Sequence, residues 1–342
     1  MKLLIITQKV DINDDILGFF HNWIVEFVKH CEKITVICLE KGEYDLPDNV
    51  KVLSLGKECK TKNKLLYSFN FYKYIWQEQK NYDKIFIHMN PIYAVLGGLF
   101  WRFQNKKIGL WYTHKSVNLT LKIAEKLVDV IFTASKESFR LKSEKIKVVG
   151  HGIDIDKFEN NKNKNNKIFK IITVGRISPI KDYETLINAI EILVQNNINL
   201  QVEIVGGPAT LEDEKYLEKL KKIVVEKKID NIINFVGSVP NKNIVQYYNN
   251  SDLFVNMSMT GSLDKVILEA MACGVITLSC NDASKDLLEE YNLFFKKGDY
   301  KELSEKIKRI INLSKDKKEN IQQNLREIVV ENHSLESLIK IL

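Results

Sequence analysis

The 342-residue sequence is informative first for what it lacks. No apolar run reaches the roughly 18 residues that a membrane-spanning helix requires. The opening Met1-Lys2-Leu3-Leu4-Ile5-Ile6-Thr7 has too short an apolar core for a signal peptide and no small-residue cleavage site, and is read as a first buried strand. Cysteine is scarce: five residues, at 31, 38, 59, 273 and 280, odd in number and without a CxxC pair. That argues against a disulfide framework or a zinc site and fits a reducing cytosol. No pair of carboxylates of glycoside-hydrolase type is identifiable, and no nucleic-acid-binding motif occurs. The expected localisation is therefore cytoplasmic, with no nucleic-acid partner.

What is present is ordinary in bulk and uneven in distribution. Apolar content of 45% and charged content of 28% are globular values. At roughly 100–200 residues per domain, the length predicts two domains. The net charge of +7 is concentrated: residues 1–150 hold 24 Lys and Arg against 16 acidic residues, the remainder 27 against 28. A basic N-terminal half can attract phosphates, an anionic membrane face or nucleic acid; equally, a Lys/Asn-rich composition leaves a merely solvated basic surface.

Short Val/Ile-rich runs alternate with longer amphipathic ones. Strands are predicted at Leu3–Thr7, Ile34–Leu39, Val50–Leu55, Lys84–Met89, Lys107–Tyr112, Val130–Ala134 and Ile146–Val149, with helical patterns at Gly18–His30, Lys64–Gln79, Ile92–Phe103 and Asn118–Leu127. The polar, low-complexity run Glu159–Lys167 cannot build a core and reads as a loop or linker. After it, strands are predicted at Phe169–Val174, Leu200–Val205, Ile232–Val236, Leu253–Asn256, Val275–Ser279 and Leu293–Phe295, with helices between them and a helical tail over Asn320–Leu342. Apolar runs without strict alternation suit parallel strands covered on both faces. Two βαβ arrays imply two doubly wound α/β domains, expected over 1–155 and 156–324. Open parallel sheets bind ligands beyond the carboxyl ends of their strands, so two facing sheets would form a cleft.

Two C-terminal segments stand out. In Ile172-Thr173-Val174-Gly175-Arg176-Ile177-Ser178-Pro179-Ile180-Lys181, a strand runs into Gly175, and Arg176 and Lys181 flank the start of a helix. Glycine permits close ligand approach, and an Arg fork with a Lys point charge can neutralise a diphosphate; an ordinary βα loop with exposed bases is the alternative. In Asn256-Met257-Ser258-Met259-Thr260-Gly261-Ser262-Leu263-Asp264-Lys265-Val266-Ile267-Leu268-Glu269, a strand, a small-residue loop and a helix follow in turn, and the helix-start amides can hold phosphate oxygens. Glu269 lies about one turn inside an apolar helix, where a carboxylate needs a ligand hydroxyl or a neighbouring protein group.

These segments together resemble the retaining glycosyltransferases of GT-B fold known as family four (glycosyl transferases group 1). Leu268–Gly274 (LEAMACG) matches the end of that family's Glu-x7-Glu motif, and Gly152-Ile153-Asp154 with Phe158 matches its signature at the interdomain crossover. The resemblance implies two Rossmann-like domains facing a cleft, with a last helix (about 325–342) crossing back to the N-terminal domain. It implies that Arg176 and Lys181 bind the donor diphosphate, that Glu269 contacts the ribose, and that Gly261, Ser262, Asp264, Lys265 and Val266 supply contacts to phosphate and sugar. It places Gly175, Gly206 and Val239 along the donor. Gly261 departs from the family, where a Glu contacts the donor sugar. Asp264 is the nearest acid to replace it, unless Asp264-Lys265 defines a separate subgroup.

In the N-terminal half the resemblance implies that Gly18 faces the donor phosphates and that His114, after a strand, hydrogen-bonds sugar or acceptor; a packed histidine is the alternative. Asp11, Asp14 and Asp15 near Gly18 are a poor metal set, lacking further spaced ligands. His88 ends another strand, Asn90 is a candidate helix cap, and His151 reads as structural. The bases of Lys57–Lys64 and the following aromatics suggest a sugar or lipid-phosphate surface, or simply core at helical spacing. The expected function is transfer of a hexose from a UDP- or GDP-sugar to a glycan or lipid-linked acceptor, with no cofactor and no obligatory metal, on a cytoplasmic protein in peripheral contact with an anionic inner membrane face. The alternatives are a non-catalytic sugar-nucleotide-binding protein and a GT-B nucleotide-sugar epimerase.

Overall fold

A computed structural model describes residues 1–14, 16–59, 63–161 and 168–341. Asp15, residues 60–62 of the basic segment and residues 162–167 of the linker lie outside the described residues. The chain forms two compact units, Met1–Gly152 with Pro240–Lys242 and Leu335–Leu342, and Ile153–Val239 with Asn243–Ser334.

The N-terminal unit runs β1 (Lys2–Val10), α1 (Phe19–Val28), β2 (Lys33–Lys41), β3 (Val50–Ser54), α2 (Lys64–Gln77), β4 (Lys84–His88), α3 (Pro91–Phe103), β5 (Lys107–Trp111), α4 (Leu119–Leu127), β6 (Val130–Thr133) and β7 (Ile146–Val148). All the strands pair in parallel, in the order β3-β2-β1-β4-β5-β6-β7. Both faces are covered. On β1, Leu4 and Ile6 join a core with Phe71, Ile75 and Trp101, while Leu3 and Ile5 join another with Phe20, Trp23 and Phe27. Period-two alternation thus splits one apolar run between two cores, which is why the sequence shows no polar face.

The C-terminal unit runs β8 (Phe169–Val174), α5 (Tyr183–Gln195), β9 (Leu200–Val205), α6 (Leu211–Glu226), β10 (Ile233–Gly237), α7 (Ile244–Asn249), β11 (Leu253–Asn256), α8 (Lys265–Ala272), β12 (Ile276–Ser279), a short α9 (Lys285–Leu288), α10 (Tyr300–Ile311) and α11 (Lys315–His333). Its parallel sheet has the order β10-β9-β8-β11-β12. The predicted strand Leu293–Phe295 is not one. It makes a single bridge, Phe294 to Ser279, because the left-handed turn at Asn292 delivers only three residues to the sheet edge. Leu293 and Phe295 are nonetheless fully buried and carry the two backbone hydrogen bonds of that bridge, Ser279 N–H to Leu293 O and Phe295 N–H to Ser279 O, so the sequence marked a buried edge segment too short for a strand.

The tail, read in the sequence as one helical stretch, is two helices. Leu325 and Val329 on α11 belong to the C-terminal core, and α12 (Leu335–Ile341) puts Leu335, Leu338 and Ile339 into the N-terminal one. In each sheet the order in which strands are added reverses beside the first strand, between β1 and β4 and between β8 and β11. Doubly wound sheets hold ligands beyond such switch points, so strand order now selects which loops matter.

Candidate functional site

In the C-terminal unit, the last β8–β11 pair is Ile172 with Phe254. Beyond it the two strands part, and their loops meet instead through Met259 N–H donating to Ile180 O (3.1 Å). Between them stands Lys181, at the end of a 3-10 turn over Pro179–Lys181. Its ammonium donates to Asp264 Oδ2 (2.7 Å) and to Ser258 Oγ (3.2 Å). Asp264 occupies the N-cap position of α8 but makes no capping bond. Its carboxylate is turned instead to Lys181, Asn256 Nδ2 (3.2 Å) and Thr260 Oγ1 (3.1 Å). Burial alone would raise this carboxyl; the charge of Lys181 and hydrogen bonds from Lys181, Ser258 and Asn256 outweigh it and hold the group below its ordinary range. The acid nearest to the absent family Glu is therefore committed to fixing Lys181.

Gly261 itself has φ +71, in the left-handed region where a glutamate would be strained by about 1 kcal/mol. Its neighbours are pinned: Ser262 O accepts from Asn281 Nδ2 (2.7 Å). Lys265 and Val266 open α8.

The backbone around Arg176 is equally fixed. Gly175 N–H donates to Val205 O and Ile177 N–H to Gly207 O, while the buried Tyr183 hydroxyl donates to Gly175 O (2.9 Å). Gly206 lies so close to this turn that a Cβ would stand 1.9 Å from Gly175 O. Glycine is obligatory there for packing as well as for its φ of +141. Arg176 remains half exposed, its Nε 3.9 Å from Asp213, whose carboxylate also accepts from Ala209 N–H. Val239 follows β10 and packs partly buried against the core.

Glu269 is buried, and Tyr248 donates its hydroxyl to Glu269 Oε2 (3.2 Å). Burial and the adjacent carboxylate push the Tyr248 phenol well above its ordinary value, so it acts as a donor. Around them are Lys265, Lys157 and Asp154. Burial pulls the Lys265 ammonium down to about 8, against the attraction of Glu269 and with the repulsion of Lys157. Burial lowers Lys157 too, opposed by Glu269 and Asp154. Neither Tyr248 nor Lys157 stood out in the sequence. Lys157 lies inside the segment carrying Gly152, Ile153, Asp154 and Phe158, yet nothing in a linear reading says that this segment meets α8 more than a hundred residues later.

In the N-terminal unit, Gly18 precedes α1, and a Cβ on it would meet Asp14 O at 2.4 Å. Asp11 and Asp14 are engaged by Lys9, at 3.3 and 2.8 Å, together with Glu40 at 3.2 Å. Asp14 also accepts from Ile16 and Leu17 N–H, which with Lys9 outweighs its burial and lowers its carboxyl. His114 is exposed, and its Nδ1 accepts from Ser116 N–H (3.1 Å), which leaves Nε2 as the proton-bearing nitrogen of the neutral ring. His88 is buried, hydrogen-bonded to Thr7 and stacked on Phe20 at 4.1 Å. Asn90 sits at the N-cap of α3, but its side chain bonds Gln8 rather than the helix. His151 is buried.

Comparison with known proteins agrees with this arrangement. The model of the family "Glycosyl transferases group 1" matches residues 154–328, just over half of the chain. Protein CapJ of Staphylococcus aureus is 31% identical over 177 residues, covering 51% of this chain and 43% of that protein. The Staphylococcus aureus capsular polysaccharide biosynthesis glycosyltransferase CapM is 28% identical over 222 residues, covering 60% of this chain and 55% of CapM. These alignments span about half the length of the curated relatives. The crystal structure of Anabaena HepE in complex with UDP superposes with a TM-score of 0.78 at 18% identity, over 100% of this chain and 98% of that one. A glycosyltransferase from Rickettsia africae does so with a TM-score of 0.79 at 15% identity, over 99% and 96%. The fold is that of the GT-B glycosyltransferases, and the chain belongs to the glycosyl transferases group 1 family.

Proposed function

We propose that this chain is a retaining glycosyltransferase that moves a hexose from a UDP- or GDP-sugar to a glycan or lipid-linked acceptor without an obligatory metal. The observation that carries the reading is the β8–β11 switch point. There a half-exposed Arg176 and a pre-positioned Lys181 flank a glycine-lined backbone in a unit of almost balanced charge. Family membership supports it, as do the likeness to CapM, a glycosyltransferase of capsular polysaccharide biosynthesis, and the UDP bound to HepE.

An ammonium has three N–H donors. Asp264 and Ser258 take two from Lys181, and the third is available to a phosphate oxygen. Arg176 supplies a fork for the diphosphate, and the Val266 N–H adds a helix-start donor. Preorganised donors of this kind stabilise the charge that grows on a departing diphosphate. Glu269 takes the ribose hydroxyls. For the N-terminal unit the resemblance alone implies that His114 hydrogen-bonds a sugar or acceptor hydroxyl and that Gly18 faces phosphate. In the transfer step the bond from the anomeric carbon to the diphosphate oxygen breaks. The acceptor oxygen bonds to that carbon from the same face, and its proton passes to the departing diphosphate. The five free thiols support a reducing, cytoplasmic setting.

Because Gly261 removes one sugar-contacting carboxylate, a sugar-nucleotide-binding protein without turnover is the competing reading. A thermal-shift screen of UDP, GDP and their sugars, followed by nucleotide release on addition of acceptor, separates the two. Transfer is expected with one donor class, unchanged by EDTA and lost in Arg176→Ala and Lys181→Ala. Full activity of either variant with the true donor overturns the site; tight nucleotide binding without turnover across an acceptor panel overturns the activity.

A further inference from the structure

One surface of the N-terminal unit is not used by this reading. Helix α2 carries two apolar stripes. Phe71 and Ile75 are buried, as an amphipathic helix requires. On another face Leu65, Phe69, Tyr72 and Trp76 follow the i, i+4, i+7, i+11 spacing of a single helical stripe, and they are 82%, 66%, 46% and 64% exposed. Helix α3 repeats the pattern: Ile92, Leu99 and Phe103 are exposed at the same spacing, Phe103 at 87%, with the partly buried Leu96 completing it. The stripes are neighbours, since Tyr72 donates its hydroxyl to Leu96 O (3.2 Å). Single exposed apolar side chains are commonplace, but two adjacent stripes are a patch.

The sequence that carries the patch is predominantly basic. Neither α2 nor α3 contains an acidic residue, and residues 57–126 hold 13 Lys and Arg against four acids. Between the two helices opens a cavity of ≈ 800 Å³, lined by Leu39, Leu55, Phe71 and Leu96 with Lys57 and Lys64. Lys57 is paired with Glu40 at 3.0 Å, so Lys64 and Lys73 are the stronger candidates for carrying external attraction.

Aromatic side chains with apolar bodies, interleaved with lysines on the surface of a helix, have the chemistry of the headgroup boundary of a bilayer. An anionic leaflet matches the charge, and a cavity of this size and lining suits an aliphatic chain. We propose that the α2–α3 face docks on an anionic lipid bilayer, with Phe69, Trp76 and Phe103 entering the interface and the cavity taking up one lipid chain. The docking goes beyond the transfer reading and does not depend on it, because it is measured without donor or acceptor.

The test uses the full chain with vesicles of phosphatidylcholine containing phosphatidylglycerol, and with phosphatidylcholine alone. Trp23, Trp101 and Trp111 are buried, so of the four tryptophans Trp76 is the exposed reporter. Expected are co-sedimentation with the anionic vesicles, little with the neutral ones, weakening by salt, and a blue shift of fluorescence that Trp76→Phe removes. Lys64→Glu with Lys73→Glu, and separately Phe69→Ser with Trp76→Ser, should each weaken binding roughly ten-fold or more. Leu211→Ser with Val225→Ser, exposed apolar positions of the C-terminal unit, should not. Circular dichroism confirms that each variant is folded. Absence of binding to anionic vesicles, or binding indifferent to the α2 variants, overturns the proposal. So does a wild-type dimer that Phe69→Ser with Trp76→Ser converts to monomer without any vesicle binding, since a second copy would then own the face.

Discussion

The two units share a topology and use it differently. At the β1–β4 switch point of the N-terminal unit, the charges satisfy one another: Lys9 is held by Asp11, Asp14 and Glu40, and His88 is stacked and hydrogen-bonded. At the β8–β11 switch point of the C-terminal unit, Lys181 is fixed by one carboxylate and one hydroxyl, and Arg176 stays half exposed. The helices differ as well. Among the described residues, the large exposed apolar side chains of the C-terminal unit are Ile180, Leu211, Val225 and Met259, with no aromatic ring, whereas the N-terminal unit exposes Phe69, Tyr72, Trp76 and Phe103. The same sheet order can thus carry a half-exposed cation at its switch point or a set of charges that satisfy one another. Side chains at strand ends decide which.

Breaking the first contrast should give the largest effect. Lys181→Ala is expected to lower the transfer rate by roughly 10²–10³-fold, as removal of a preorganised donor does, and also to lower the melting temperature because it leaves the buried Asp264 carboxylate without its cation, so the rate is read well below the variant's melting point. If Lys9→Ala lowers the rate as much at equal stability, the two switch points are not functionally distinct. Gly206→Val tests whether the cradle is built on backbone contact. A Cβ would stand 1.9 Å from Gly175 O, so a loss on the order of 3–4 kcal/mol is expected in urea unfolding; a loss below about 1 kcal/mol would show that the turn yields.

The pH dependence sharpens the comparison further. Burial holds the His333 imidazole down at about 4, and also lowers His21 of the N-terminal unit, where Asp45 opposes the shift. For each, the unfolded chain binds the proton first, so stability is fully present above about pH 6.5 and is lost as pH falls towards the folded value. His333→Leu should flatten the stability curve of the whole chain between pH 6.5 and 4 by up to about 3 kcal/mol, read from urea midpoints at pH 7, 5 and 4. An unchanged slope would mean that His333 gains no proton on unfolding. The smallest expected effect is that of Lys9→Met, which leaves three carboxylates together and should cost about 1–2 kcal/mol, more at low salt than at high. Insensitivity to salt would assign the loss to packing.

Much of the fold was legible because buried parallel strands must be continuously apolar and their helices must not be. Phe169–Val174 and Leu200–Val205 could be read to the residue. Leu293–Phe295 misled because full burial with a single bridge to Ser279 leaves the same trace as a strand. The candidate site was half legible. Gly175, Arg176 and Lys181 follow a strand end and Glu269 is a lone acid on an apolar helix, where local pattern speaks. Asp264 stood out only as the acid nearest to Gly261 or as the mark of a subgroup; that it holds Lys181 was not legible, because that partner is 83 residues away. The aromatics of α2 read equally as surface or core, and they are both: Phe71 and Ile75 face in, and Phe69 and Trp76 face out. Composition cannot divide a helix that is apolar on two sides.

The sequence by itself determined the two βαβ arrays, the uneven charge and the glycine-bounded cationic strand end, since each follows from local pattern and from residue types with a single physical use. Only the tertiary structure decided the strand orders, and with them which strand ends share a switch point. It also decided that Asp264 belongs to Lys181, that Tyr248 and Lys157 surround Glu269, and that an apolar stripe faces outward. Those are facts of pairing between distant segments. A linear pattern fixes what a side chain needs, but not which neighbour supplies it.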